Sequence, residues 1–146
     1  SGQQIKEPNN LAPTNLSNVS IDNIKIGSAV GDVDLSGYTL SSRYEERENT
    51  YHFEELRITT DETGAIVYIQ GNFQGQNIIS LSVNQADEFE TIENATAILG
   101  KEYHSYWYDR EQSLKANTYT DKDNNVVLTF VYDNNSQDIV WAILSK

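Results

Sequence analysis

Short polar turns led by aspartate interrupt two runs of β-branched, aromatic and alternating apolar residues in this chain. Such runs around Asp, Asn, Gly and Ser are typical of antiparallel β-hairpins. The predicted hairpins pair residues 56–60 with 65–69 around the turn 61–64, and residues 128–132 with 139–144 around the turn 133–136. Further strands are predicted near residues 51–53, 78–83 and 115–120, the last joined to 126–132 by the polar turn 121–125.

Helical spacing precedes the second set of strands. Asn84 is the predicted cap and Gly100 the predicted stop. Between them, apolar residues recur at intervals of three and four, namely Phe89, Ile92, Ala95 and Leu99. The first half carries a shorter helical stretch near residues 28–33, which Gly31 and Gly37 weaken because glycine is a poor helix former.

These elements predict an α+β fold, an antiparallel sheet with helices on one face, made of two tandem helix-plus-sheet repeats. One domain over residues 21–146 would hold both repeats, the first at about 21–71 and the second at about 84–146. Residues 1–20 are rich in Asn, Ser, Gln and Thr and contain both prolines, so we expect a flexible polar tether there.

The stretch from Ile92 to Tyr103 leads from a helix through Leu99-Gly100 into an aromatic strand. In this order it resembles the β-lactamase-inhibitor-protein-like superfamily, which includes small outer-membrane assembly lipoproteins and secreted lipoproteins of Gram-positive bacteria. Gly27 also stands where the first repeat of such proteins often has a glycine. The resemblance covers residues 21–146 and implies the repeat architecture. Because cysteines are lacking and Lys101 replaces the proline that often follows Leu-Gly, it does not imply inhibition of a β-lactamase.

Composition excludes several classes of function. None of the 146 residues is a cysteine, so disulfides, cysteine zinc sites and thiol nucleophiles are impossible. With 10 basic and 22 acidic side chains the net charge is −12, which disfavours nucleic acid and anionic lipid as partners. No apolar run reaches the length of about 18 residues that a transmembrane helix needs. The acidity fits either a solvated surface or attraction to a basic partner.

The sequence motifs of common enzymes are missing. The chain has no G-x-S-x-G, G-x-G-x-x-G, Walker A or H-E-x-x-H pattern. Its histidines, His52 and His104, fall in aromatic segments, and we expect them on a sheet face rather than at a catalytic centre. We therefore predict a non-enzymatic protein without a cofactor. A hydrolase of cell-wall glycans is the enzymatic alternative, and it would need two carboxyl groups converging in a cleft.

The turn at residues 121–125 also matches the opening of a calcium-binding loop, because Asp121, Asp123 and Asn125 follow the D-x-D-x-N pattern. The match ends there, since Val126 and Tyr132 stand where the loop requires Gly and Glu. We predict a hairpin turn here and no metal site.

The excess of aromatic residues indicates a binding surface. Tyr, Trp and Arg contribute most of the binding energy in protein interfaces. We predict that one sheet face gathers such residues, namely Tyr106, Tyr108, Arg110, Tyr119, Tyr132 and Trp141. The alternative is that these aromatic side chains fill the core, with tyrosine hydroxyls at its rim.

Together these features predict a non-enzymatic protein-binding domain of a bacterial lipoprotein, extracellular and either anchored at the cell surface or secreted. A lipid anchor upstream of residue 1 would fit the polar tether. The alternative is an inhibitor or immunity-type protein that binds a basic partner through its acidic surface.

Overall fold

The computed structural model describes residues 10–42, 47–74, 81–83, 87–88 and 90–146. The strands and the one α-helix of these residues are β1 (Val19–Ile21), β2 (Thr50–His52), β3 (Leu56–Thr60), β4 (Ile66–Asn72), β5 (Leu81–Val83), β6 (Asp87–Glu88), α1 (Ile92–Leu99), β7 (His104–Asp109), β8 (Leu114–Asp121), β9 (Val126–Asp133) and β10 (Ile139–Ser145). Seven strands form one antiparallel sheet in the order β2-β3-β4-β10-β9-β8-β7, and three form a small sheet in the order β1-β5-β6. The predicted hairpins β3–β4, β8–β9 and β9–β10 are confirmed.

The predicted α+β class with helices on one face is wrong. The structure is mainly β, with 47% strand and a single short α-helix among the described residues. The helix expected near residues 28–33 is replaced by a 3₁₀ turn, Val30–Asp32. Backbone pairing explains the difference, because Gly27 and Val30 donate to the carbonyls of Ile66 and Gly64 at 2.8 and 2.9 Å. These extended pairings satisfy the peptide groups that a helix would otherwise use.

The second predicted helix exists but begins later than expected. Thr91 caps it, since Thr91 Oγ1 accepts from the Asn94 amide while Asn94 Oδ1 accepts from the Thr91 amide, each at 3.2 Å. Gly100 ends it as predicted, with a φ of 92° that side chains disfavour. The predicted cap Asn84 and the apolar Phe89 lie outside the described residues.

One face of the seven-stranded sheet carries the hydrophobic core. Alternate residues of its strands point to this face, and those of β9, from Val126 to Tyr132, are buried. Ile92 and Ala95 of α1, together with Val19 and Ile21 of β1, pack onto the same core. We call this side the core face, and the opposite side the outer face.

The N-terminal segment differs from the expected tether over residues 10–20. Leu16 is buried in the core, and the Thr14 amide donates to the Thr120 carbonyl at 3.0 Å. Leu11 is buried as well, and β1 begins at Val19. Two buried leucines therefore anchor a segment that polar composition alone assigns to solvent. Residues 1–9 lie outside the described residues.

An aspartate begins each of the turns β3–β4, β7–β8, β8–β9 and β9–β10, and its carboxylate accepts amide hydrogens of the turn. These residues are Asp61, Asp109, Asp121 and Asp133. Asp121 also accepts from the Leu16 amide at 2.8 Å and from Asn124 Nδ2 at 2.8 Å. Its oxygens are thus engaged by the turn and the N-terminal segment, as expected of a hairpin turn.

Replacing Asp121 with asparagine should destabilise the fold by about 1–3 kcal/mol, because an amide nitrogen would then face donor groups. Burial raises the pKa of Asp121, but the hydrogen bonds from Leu16 and Asn124 outweigh it and leave the pKa below its ordinary value. Because the folded pKa is depressed, this stabilisation is present above about pH 4 and is lost as the pH falls through the folded value.

Urea unfolding of the wild type and Asp121→Asn between pH 3 and 7 measures this effect. The two proteins should converge in stability toward the acidic end. Asp61→Asn is the matched control, since Asp61 caps an exposed turn and bonds only to that turn. An equal loss in both variants would contradict the anchoring role of Asp121.

Candidate functional site

Cross-strand register identifies the residues of the outer face, because directly opposed residues point to the same side of a sheet. From β2 to β7 the outward residues include His52, Arg57, Gln70, Ile143, Thr129, Thr118 and Tyr106. Each of them is at least partly exposed. In the described strands, the outward acidic residues are Asp109 and Asp133, each at a strand end beside the turn that it caps. At the outward positions of the described strands, carboxylates are thus confined to strand ends, in a chain of net charge −12.

The half of the outer face formed by β7–β10 is aromatic and apolar. Trp141 and Tyr108 meet edge to face, with ring centroids 5.6 Å apart at 86°. They lie beside a small buried cluster of Leu114, Ala116, Val131 and Val140, which packs against Trp141. Tyr106 extends the patch along β7 and stacks with His104, with ring centroids 5.4 Å apart. Tyr106 and Tyr108 remain 40% and 48% exposed, which leaves their rings open to a partner.

The half formed by β2–β4 is polar and cationic. Arg57 Nη2 donates to the Tyr68 hydroxyl at 3.2 Å and to Gln70 Oε1 at 3.1 Å. Its guanidinium carbon lies 5.4 Å from the centroid of the Tyr68 ring, a cation–π contact. The Tyr68 hydroxyl donates in turn to Gln70 Oε1 at 2.9 Å. These neutral contacts hold the guanidinium in one orientation on the sheet.

A cavity of about 360 Å³ lies where the two halves meet. Trp141 lines its aromatic side, and His52, Arg57, Gln70 and Asn72 line its polar side. Glu54 and Glu55 also line the cavity. The cavity thus combines a ring, hydrogen-bond donors and a cation, which is the combination found in many small recognition pockets.

The structure divides the predicted aromatic face between the two sides of the sheet. Tyr106, Tyr108 and Trp141 share the outer face, whereas Tyr119 and Tyr132 are buried on the core face. The Tyr119 hydroxyl donates to the Gly100 carbonyl at 2.8 Å, and its ring meets Phe130 edge to face. Burial raises the pKa of both core tyrosines, so each remains a neutral donor. These two residues stabilise the fold and are not available to a partner.

Arg110 lies in the turn after β7 and does not join the aromatic half, because it contacts Trp107, whose register partner Lys115 opposes Tyr132 of the core face. Its guanidinium carbon is 5.4 Å from the centroid of Trp107, and Lys115 Nζ is 5.1 Å from the same ring. Trp107 was not among the predicted site residues, although it is 37% exposed. Two cations thus flank one exposed indole on the edge strand β7, and charges at a sheet edge generally oppose unspecific strand pairing.

Arg57, Tyr68 and Gln70 are also site residues that the sequence analysis missed. The signal was available in the first hairpin, where Leu56 and Ile58 alternate with Arg57. Since Leu56 and Ile58 are the buried set, the same alternation turns Arg57 outward.

The described residues contain no group of three or more His, Asp or Glu side chains arranged to hold a metal ion. None of the helices in the described ranges is long and apolar enough to cross a membrane. Comparison with protein-family models, with curated proteins and with solved structures gave no match. The functional argument therefore depends on the geometry and charge of the outer face.

Proposed function

We propose that the chain is a non-enzymatic binding domain that recognises a partner protein through its outer sheet face. The observation that carries this proposal is an outer face with an exposed aromatic half, whose described strands bear outward carboxylates only at their ends, on a chain with net charge −12. Carboxylates placed by solubility alone would be expected on an exposed face as well. Their confinement to the ends of the outer-face strands favours a surface that is desolvated on binding.

The aromatic half supplies the energetic centre of such an interface. Trp and Tyr contribute disproportionately to binding where neighbouring contacts exclude water. Trp141 is half-buried against the apolar cluster beneath it, so its indole is already oriented before a partner arrives. Preorganised side chains lose little conformational entropy on association, which increases affinity.

We further propose that the domain belongs to a secreted or cell-surface lipoprotein of a bacterium. The cysteine-free acidic chain and its polar N-terminal sequence support this setting. The alternative, an acidic inhibitor or immunity protein, is less well supported because the aspartates of the hairpin turns accept hydrogen bonds within their own turns.

Capture from a bacterial cell-envelope extract tests the proposal. The immobilised wild type should retain a partner protein from the extract. The double variant Tyr106→Ser/Tyr108→Ser should retain at least about tenfold less of it, the effect expected when interface aromatics are removed. Ile98→Ser is the matched control, because Ile98 is an exposed apolar residue of α1, away from the outer face. Equal capture by the wild type and the tyrosine variant would contradict the proposal.

A further inference from the structure

The cavity on the outer face contains a cation that is oriented by its contacts and has no ion-pair partner among the described residues. Within the described residues, Arg57 bonds only to the neutral groups of Tyr68 and Gln70. These contacts use Nη2, and no described residue accepts from Nε or Nη1. A guanidinium presents five N–H donors in a rigid fork that matches a carboxylate. The remaining donors of Arg57 are thus suited to an incoming anion.

The two glutamates that line the cavity accept hydrogen bonds from backbone amides. Both carboxylate oxygens of Glu55 accept from the Thr39 amide at 2.9 Å, and Glu55 is buried. Glu54 Oε1 accepts from the Ser42 amide at 3.1 Å. Each carboxylate therefore fastens the segment at residues 39–42 beside β2, and neither forms an ion pair with Arg57 in the described structure.

Gln70 provides a second donor beside Arg57. Its Oε1 accepts from both Arg57 Nη2 and the Tyr68 hydroxyl. Its Nε2 is therefore the end of the amide left for a further acceptor. A group that accepts from Arg57 and Gln70 together, next to the indole of Trp141, matches the donors of this cavity.

We propose that this cavity binds a single carboxylate side chain of the partner protein, paired with Arg57, while Trp141 contacts the adjoining apolar part of the same segment. This inference depends on the proposed function, because it names the chemistry that the outer face recognises. Arg57 is the one arginine or lysine among the residues that line the cavity, and Glu54 and Glu55 also line it, so a group with a single negative charge is favoured over one with two. A phosphate dianion would remain undercompensated on a chain of net charge −12. The same net charge opposes a long acidic stretch, so we infer one anchoring carboxylate in a largely neutral segment.

A ¹H–¹⁵N NMR titration of the whole chain tests this, by following the Nε–Hε signals of Arg57 and Arg110. The probes are two capped dipeptides, N-acetyl-tyrosyl-glutamic acid amide and its glutamine counterpart. The glutamate peptide should bind about tenfold or more tightly and shift the Arg57 signal, as charge-assisted pairs do. Arg110 is the matched control, because it also lies over an aromatic ring.

Arg57→Gln should bind the glutamate and glutamine peptides with about equal affinity. Trp141→Ala should instead lower the affinity for both peptides by a similar factor. Equal affinity of the two peptides for the wild type would overturn the inference. An Arg57 shift with inorganic phosphate as large as that with the glutamate peptide, or no binding of either peptide, would also overturn it.

The capture experiment separates this inference from the proposed function. If Arg57→Gln captures the partner as well as the wild type does, while Tyr106→Ser/Tyr108→Ser does not, the carboxylate inference fails and the proposed function stands. If neither variant changes capture, both fail.

Discussion

Replacing Phe130 with alanine should lower the free energy of unfolding by about 3–5 kcal/mol, the cost of removing a buried aromatic side chain. Phe130 is fully buried in β9, and its ring meets that of Tyr119 edge to face at 6.2 Å. Neighbouring core residues are held by the antiparallel ladder and can close the cavity only partly. Urea unfolding followed by circular dichroism measures the loss.

Trp107→Ala is the matched control for Phe130→Ala. It also deletes a large aromatic side chain, but Trp107 is 37% exposed and loses mainly its contacts with Arg110 and Lys115. We expect a cost of about 1 kcal/mol or less. If Phe130→Ala does not fold, Phe130→Leu should still show a loss of about 1–2 kcal/mol. Similar costs for Phe130→Ala and Trp107→Ala would contradict the assignment of the core face.

Replacing Trp141 with alanine should weaken binding of the captured partner by a factor of about 30 to 1000, the range of interface hot spots. Trp141 is the residue shared by the aromatic patch, through Tyr108, and by the cavity that Arg57 lines. Its loss removes contact area from both halves of the outer face at once. Titration calorimetry with the purified partner measures the change in Kd.

Two further variants distinguish a binding effect of Trp141 from a folding effect. Trp141→Phe keeps a ring over the apolar cluster and should lose less affinity than Trp141→Ala. Ile143→Ser changes an outward, half-buried residue of the same strand. It reports how strongly a substitution in β10 affects folding rather than binding. If Trp141→Ala binds the partner normally, the aromatic patch is a cover for the cluster beneath it and not a contact surface.

The strands were largely predictable because their side-chain alternation and turn chemistry are local. Asp61 and Asp133 cap the turns that the sequence indicates, and the register of β3–β4 follows from Leu56 and Ile58 facing the core. The 3₁₀ turn that replaces the predicted helix near residues 28–33 was not predictable in this way. Its amides pair with Gly64 and Ile66 across the chain, and such a long-range pairing leaves no mark in the local pattern.

The candidate site was predicted in part, and the errors have a single cause. Leu128, Phe130 and Tyr132 are two residues apart in one strand and therefore share a face. Assigning this face to the core would have excluded Tyr132 from the outer face. Tyr119 opposes Leu128 in the register of β8 and β9, which places it on the same side. Both faces of these strands are apolar, and the buried one is the face over which other elements of the chain pack. Here the cover includes α1, a helix that the sequence predicts, and β1, which begins in the segment predicted as a tether.

The resemblance to the β-lactamase-inhibitor-protein-like superfamily remains a prediction. The helix–Leu–Gly–strand order is present, since α1 ends at Gly100 and β7 begins at His104. The first repeat lacks its α-helix, because only the 3₁₀ turn stands there. The two sets of strands nevertheless join into one sheet, where β4 pairs with β10.

The most direct test of the outer face as a contact surface is NMR cross-saturation with the purified partner. Saturation of the partner should attenuate the amide signals of Thr118, Thr129, Ile143 and Gln70, together with the Trp141 indole signal. The helix from Ile92 to Leu99 should keep its full intensity. Attenuation confined to that helix or to the aspartate-led turns, with the outer-face signals unchanged, would contradict the account.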